Sequence, residues 1–135
     1  MSFFKNVGKI AMLVAGFIIF AGQASAITQG ELIIVAADGQ FLGSFENEYS
    51  TKSVYNRYGN FGSQYSSTSI FNKYSDYGSD YSDTSPFNKY ASNAPWLMDK
   101  RGNRYGRLSI NRYAQGVTDY SYKLALRLKA LRDSR

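Results

Sequence analysis

The chain has 135 residues, including 12 tyrosines but no cysteine and no histidine, and its formal net charge is +6. Without these two residue types it cannot form a disulfide, a Ser-His-Asp triad, a cysteine nucleophile or a His/Cys zinc site. Only carboxylate chemistry or an unusual lysine or tyrosine base would be left for catalysis, so we expect no enzyme and no cofactor.

The first 26 residues have the pattern of a bacterial secretory signal peptide. Lys5 and Lys9 flank the start of an apolar run of 13 residues, 10–22, and residues 24–26 (Ala-Ser-Ala) place small side chains at the cleavage site. The run is shorter than the roughly 20 residues that a membrane-spanning helix needs. We expect cleavage after Ala26 and a periplasmic or secreted product. The alternative is an uncleaved N-terminal anchor.

Residues 27–135 are 109 in number, which is the length of a single domain. Its first part, 27–47, contains two apolar runs separated by Asp38-Gly39, a common sign of a β-hairpin.

Three segments of 16 residues then align without a gap: 48–63, 64–79 and 80–95. Their shared pattern is Tyr-Ser-x-x-Ser-x-aromatic-Asn-basic-Tyr. Serine and asparagine at fixed intervals favour side-chain-stabilised turns, and Gly59, Gly62 and Gly78 suggest positive φ angles. The aromatic residues Phe71 and Phe87, and Tyr55 at the same position in the first copy, are the expected buried anchors. The alternative is a disordered tyrosine- and serine-rich tract.

The remaining residues predict a second hairpin and a helix. Residues 96–116 repeat the glycine spacing of the first hairpin, because Gly102 and Gly106 are separated as Gly39 and Gly43 are. Within 117–135 a helix is expected at about 118–131, with Leu124, Leu128 and Leu131 on one side and Lys123, Arg127, Lys129 and Arg132 on the others. The predicted fold class is mainly β and turn-rich, with short repeats between two β-hairpins and one C-terminal α-helix.

The repeat unit and the two flanking hairpins together resemble small exported bacterial proteins with tandem repeats of this kind. The likeness covers roughly 38–113, and it implies an organisation but no activity. The chain departs from the commoner form of the unit at Arg57, Lys73 and Lys89, where proline is frequent.

Two sets of residues are candidates for binding. Planar tyrosine rings beside asparagine side chains suit the faces and hydroxyls of sugars. The candidate ligand residues are Tyr49, Tyr58, Tyr65, Tyr74, Tyr81 and Tyr90 with Asn56, Asn72 and Asn88. The alternative is that these rings form the core. Residues 96–135 carry ten basic and three acidic side chains, so Arg101, Arg104 and Arg107 are candidates for contact with an anionic surface.

A cluster of Asp76, Asp80 and Asp83 could hold calcium, but its spacing matches no calcium loop, and a solvated loop is the simpler reading. We expect no metal site. The favoured function is a non-catalytic binding module of the cell envelope or surface, with envelope polysaccharide or an anionic lipid or wall polymer as partner and no nucleic acid. The alternative is a structural protein that self-associates into an extracellular matrix.

Overall fold

The structure is a computed structural model that describes residues 17–19 and 26–135. Strands β1 (Phe17–Ile19) and β2 (Ala26–Thr28) form a separate antiparallel pair, in which Ile19 lies opposite Ala26. A short 3-10 turn at Gln29–Glu31 leads from β2 into the main sheet. Most of the predicted signal peptide lies outside the described residues, so its cleavage stays a prediction.

The main sheet has four antiparallel strands in the order β4-β3-β5-β6. Strands β3 (Leu32–Val35) and β4 (Phe41–Ser44) form the first hairpin, and β5 (Trp96–Asp99) and β6 (Arg104–Arg107) form the second. Because β3 pairs with β5, the chain segment between them begins and ends at the same sheet. The sheet and the single C-terminal helix agree with the coarse fold class predicted from the sequence.

The two hairpins have matching turns. Gly39 and Gly102 have φ angles of 92° and 93°, and each donates its backbone N–H to the residue three positions earlier. Gly43 and Gly106 also match, at 122° and 118°. L-residues with a side chain rarely adopt these angles, which explains why glycine occupies both pairs of positions.

Helix α1 (Asp119–Asp133) begins at a capping box. The Thr118 hydroxyl accepts the backbone N–H of Ser121, and the Ser121 hydroxyl accepts the backbone N–H of Thr118. These bonds satisfy N–H groups that the first turn of a helix leaves unpaired. Leu124 and Leu128 are buried, which confirms the predicted helix and its apolar side.

The chain between the hairpins runs through successive turns. From Asn47 to Gly62 the N–H of every third residue donates to the carbonyl three residues earlier, with N–O distances of 3.1 to 3.3 Å. Equivalent bonds recur 16 residues later, as at Asn72 and Gly78. Most turns start with a serine or asparagine whose side-chain oxygen accepts the N–H two residues ahead, as Ser53 does from Tyr55. The extended stretch that the sequence suggested in each copy is therefore replaced by further turns.

Gly62 and Gly78 are needed for close packing of the backbone. The positive φ angles expected there, and at Gly59, are wrong, because none of the three glycines has one. A Cβ at Gly62 would instead lie 2.1 Å from the Asn56 carbonyl oxygen, and one at Gly78 would lie 2.2 Å from that of Asn72. Such distances are far inside van der Waals contact, so only glycine fits.

One hydrophobic core joins the sheet, the turns and the helix. Ile34 and Leu97 from the sheet pack in the same cluster as Leu128 from the helix and as Phe71 and Phe87 from the turns. Phe71 and Phe87 are almost completely buried, as predicted, whereas Tyr55 is partly buried against the cluster. Because the turns and the helix bury their apolar side chains against each other, the helix determines which side of the turns faces solvent.

Candidate ligand-binding face

The six repeat tyrosines predicted to bind a ligand point away from the core. Their side chains are 81% to 98% exposed, so the alternative that they form the core is wrong. The set is Tyr49, Tyr58, Tyr65, Tyr74, Tyr81 and Tyr90. We call these six residues the tyrosine face.

The backbone beneath each ring of the tyrosine face is fixed by the same bond. Every one of the six tyrosines donates its N–H to the side-chain oxygen of the asparagine or serine two residues earlier, at 2.9 to 3.1 Å. The rings therefore project from a backbone that is already ordered, which lowers the entropy cost of binding a ligand.

The three asparagines predicted as ligand residues are occupied by the backbone. In Asn72 the Oδ1 atom accepts the N–H of Tyr74, and the Nδ2 atom donates to the carbonyl of Ser66 at 3.0 Å. Asn56 and Asn88 make the same pair of bonds one repeat before and one repeat after. Since both polar atoms of each amide hold two turns together, we assign these asparagines to the architecture of the face.

Two open pockets occupy equivalent positions on successive copies. The first, which we call pocket A, has a volume of about 350 Å³ and is lined by Gln64, Tyr65, Phe71, Asn72, Lys73, Tyr74, Arg132 and Arg135. The second, pocket B, has a volume of about 620 Å³ and is lined by Asn47, Glu48, Tyr49, Tyr55, Arg57, Leu131, Ser134 and Arg135. Four lining positions of pocket B recur in pocket A 16 residues later, and Arg135 lines both pockets. Each pocket therefore combines tyrosine of the face with a basic side chain.

Two arginines at the end of α1 contact equivalent sites in the turns. Arg132 Nη1 donates to the carbonyl of Gly78 at 2.7 Å, and its guanidinium lies 4.7 Å from the centre of the Phe87 ring. Arg135 does the same one repeat earlier, with Gly62 at 2.6 Å and the Phe71 ring at 4.3 Å. Arginines three apart lie on one side of a helix, so α1 is in register with the 16-residue period.

The prediction that Arg132 lies on an outer side of the helix is wrong. Its side chain is 1% exposed and is held by Asp80 at 2.7 Å and Asp133 at 2.9 Å. Because these carboxylates and the Gly78 carbonyl satisfy the guanidinium, the charge can be buried next to an aromatic ring. The i, i+3 pair of arginines and the basic residue in every copy were the sequence signals for these contacts.

The three arginines predicted to contact an anionic surface differ from one another. The guanidinium groups of Arg104 and Arg107 lie 4.3 and 4.5 Å from the centre of the Trp96 ring. Arg107 also donates to the carbonyls of Ser92 and Ala94, each at 3.1 Å. Only Arg101 is exposed without such a side-chain contact in the described part of the chain. The structure therefore does not assemble the three into one free cationic patch.

The clustered carboxylates have separate roles. Asp80 pairs with Arg132, whereas Asp83 accepts the N–H and hydroxyl of Ser92 and the amide of Asn93. These bonds, led by the Ser92 N–H, lower the pKa of Asp83. Among residues 17–19 and 26–135, no three His, Cys, Asp or Glu side chains are grouped in a way that could hold a metal ion.

The second hairpin holds the most strongly perturbed carboxylate. Burial by itself raises the pKa of Asp99, but hydrogen bonds from Tyr105, Asn103 and Arg101 outweigh it and lower the pKa to about 2. Burial and the neighbouring Asp99 raise the pKa of Tyr105 to about 12. A carboxylate that stays ionised and accepts this many bonds is poorly suited to proton transfer near neutral pH.

No helix within the described ranges is long and apolar enough to cross a membrane. In comparisons of the chain with protein-family models, with curated proteins and with solved structures, nothing matches. The argument for function therefore depends on the tyrosine face and its pockets.

Proposed function

We propose that this protein is an exported, non-catalytic binding module of the cell envelope or surface, and that its tyrosine face binds a polysaccharide. The exposure of all six rings carries the proposal, because a small domain gains nothing in stability from rings left in water. Tyrosine combines an apolar face with a polar hydroxyl, a combination that suits the apolar faces and hydroxyl edges of sugar rings.

We further infer that the segments 48–63, 64–79 and 80–95 form one turn-rich repeat array. The support is that equivalent hydrogen bonds and equivalent pockets recur 16 residues apart. An array of this kind presents the same groups at regular intervals, which is what a polymer with a repeating unit requires.

Self-association is less well supported, because the sheet edges are already bonded. At the outer edge of β4, Ser44 donates its N–H to Lys52 and accepts the N–H of Val54. At the outer edge of β6, Arg107 donates its N–H to the carbonyl of Gly116 at 2.8 Å. Free edges are the usual route to strand addition and fibres, so their coverage favours binding over assembly.

The last copy of the proposed array is bonded to the chain that follows it. Ile110 donates its N–H to the carbonyl of Pro86 at 3.0 Å, and the Asn111 side chain donates to Lys89 at 3.0 Å. These bonds close the end at which another copy would have to stack.

A retention assay tests the proposal. The exported protein is passed over immobilised envelope polysaccharide, and Tyr65→Ala with Tyr74→Ala is compared with Tyr113→Ala. Tyr113 is a matched control because it is 88% exposed and sits in the same kind of turn, but lies outside the three copies. We expect the double variant to lose retention and the control to keep it. Equal retention of all three proteins would contradict a role for the face.

Export itself is tested by N-terminal sequencing of the protein recovered outside the cytoplasm. We expect a chain that begins at Ile27. A recovered chain that still carries residues 1–26 would favour the anchor.

A further inference from the structure

Pockets A and B each contain basic groups that the protein leaves uncompensated. In pocket B, Arg57 makes no side-chain hydrogen bond or ion pair with any described residue. In pocket A, Lys73 has a single carboxylate partner, Asp133 at 3.6 Å, and both side chains of that pair are exposed. Asp133 is also shared with Lys129 and Arg132, so its charge does little to neutralise Lys73.

Arg135 adds a second positive charge to both pockets. Its guanidinium is committed to the Gly62 carbonyl and the Phe71 ring, but no carboxylate lies within ion-pair distance of it among the described residues. Burial, and after it the positive charge of Arg57, lower the pKa of Arg135. The two guanidinium groups therefore repel each other, and an anion placed near both would relieve that repulsion.

The tyrosines identify the kind of anion. Each basic side chain is accompanied by a ring of the face, Tyr49 in pocket B and Tyr65 in pocket A. A ligand that uses both groups needs a flat, CH-rich surface for the ring and a charge a short distance away. A uronic acid has both features, because its carboxylate is attached to the sugar ring.

We propose that pockets A and B are consecutive subsites for the acidic sugars of a uronate-containing polysaccharide. Arg57 and Lys73 bind the carboxylates, Tyr49 and Tyr65 stack on the sugar rings, and Arg135 contributes charge to both subsites. This inference rests on the proposed polysaccharide-binding function and adds to it the charge of the ligand. A lipid surface fits less well, because the exposed large hydrophobic side chains are tyrosines with the one exception of Leu126.

The experiment compares polymers that differ only in charge. Polygalacturonate, alginate and hyaluronate are each titrated calorimetrically into the exported protein, beside the same polymers with their carboxylates esterified. We expect at least one acidic polymer to bind more tightly than its ester by about tenfold, and its affinity to fall as salt is raised.

Two variants test the assigned side chains. Arg57→Gln and Lys73→Gln should each weaken binding of the acidic polymer about threefold to fivefold, as expected for partly exposed charge pairs, and should leave binding of the ester unchanged. Arg101→Gln is the matched control, since Arg101 is an exposed arginine outside both pockets. It should have no effect.

The outcomes separate the two proposals. If the acidic polymers and their esters bind equally, and Tyr65→Ala abolishes both, the tyrosine face binds polysaccharide but the inference about charge is overturned. If none of the polymers binds, the uronate inference is overturned, and retention on envelope polysaccharide decides the wider proposal separately. Tighter binding of single-stranded oligothymidylate than of every uronate polymer would overturn the inference in favour of a nucleic acid ligand.

Discussion

Replacing Arg132 by alanine should destabilise the protein more than any other change of a charged residue in α1. The side chain fills space beside Phe87, donates to the Gly78 carbonyl and pairs with Asp80. Alanine removes all three contacts and leaves a buried carbonyl without its donor. The substitution therefore tests whether the helix holds successive copies together.

The magnitude follows from the separate contacts. A hydrogen bond to a charged donor contributes about 1.5 to 3 kcal/mol, and a desolvated cation–π contact about 2 kcal/mol. The loss of Asp80 as partner adds little, because that carboxylate is 48% exposed and can be solvated by water. Since such contributions are not fully additive, we expect a loss of about 3 to 4 kcal/mol in the free energy of unfolding.

The assay is urea unfolding followed by the fluorescence of Trp96, the one tryptophan of the chain. Lys129→Ala is the matched control, because Lys129 lies three residues earlier and makes only a partly exposed ion pair with Asp133 at 2.7 Å. The control should cost about 0.5 kcal/mol or less. A loss for Arg132→Ala no greater than that of the control would refute the argument that the buried guanidinium holds the turns to the helix.

Three further predictions concern stability. Phe71→Ala should cost about 3 to 4 kcal/mol, because the ring is 1% exposed, whereas the exposed Lys52→Ala should stay within about 0.5 kcal/mol in the same urea assay. Gly78→Ala should lower the melting temperature, because its Cβ would lie 2.2 Å from a backbone oxygen, whereas Gly30→Ala has its nearest atom at 3.9 Å and should leave the melting temperature unchanged. The folded-state pKa of Asp99 is lowered from 3.8 to about 2, so the stability it contributes is present above pH 3.8 and is lost as the pH falls towards 2. Unfolding of Asp99→Asn followed across this range should show a flatter dependence on pH, and an unchanged slope would contradict the assigned hydrogen bonds.

Much of the local structure could be inferred from the residues themselves. The Asn-x-Tyr and Ser-x-aromatic patterns predicted turns stabilised by side chains, and these turns form because each bond joins groups only two or three residues apart. The matching glycine spacing of the two hairpins, and the apolar spacing of α1, were readable for the same reason.

Exposure and charge could not be read in this way. Within one copy Phe71 and Tyr74 are aromatic neighbours of similar size, yet one is 1% and the other 96% exposed. The sequence likewise placed Arg132 among outward-facing cations, whereas its side chain is buried against Gly78 and Phe87.

Local bonding determines the turns of this chain, but the tertiary structure decides which side of them is covered. The covering element is α1, whose Arg132 reaches Gly78 across 54 residues of sequence. The same docking brings Arg135 into pockets A and B beside Arg57 and Lys73, although those groups come from a basic and a slightly acidic part of the chain. Burial depends on such distant contacts, so the spacing of residues predicted the turns, and only the docking of the helix against them created the exposed tyrosine face and its charge.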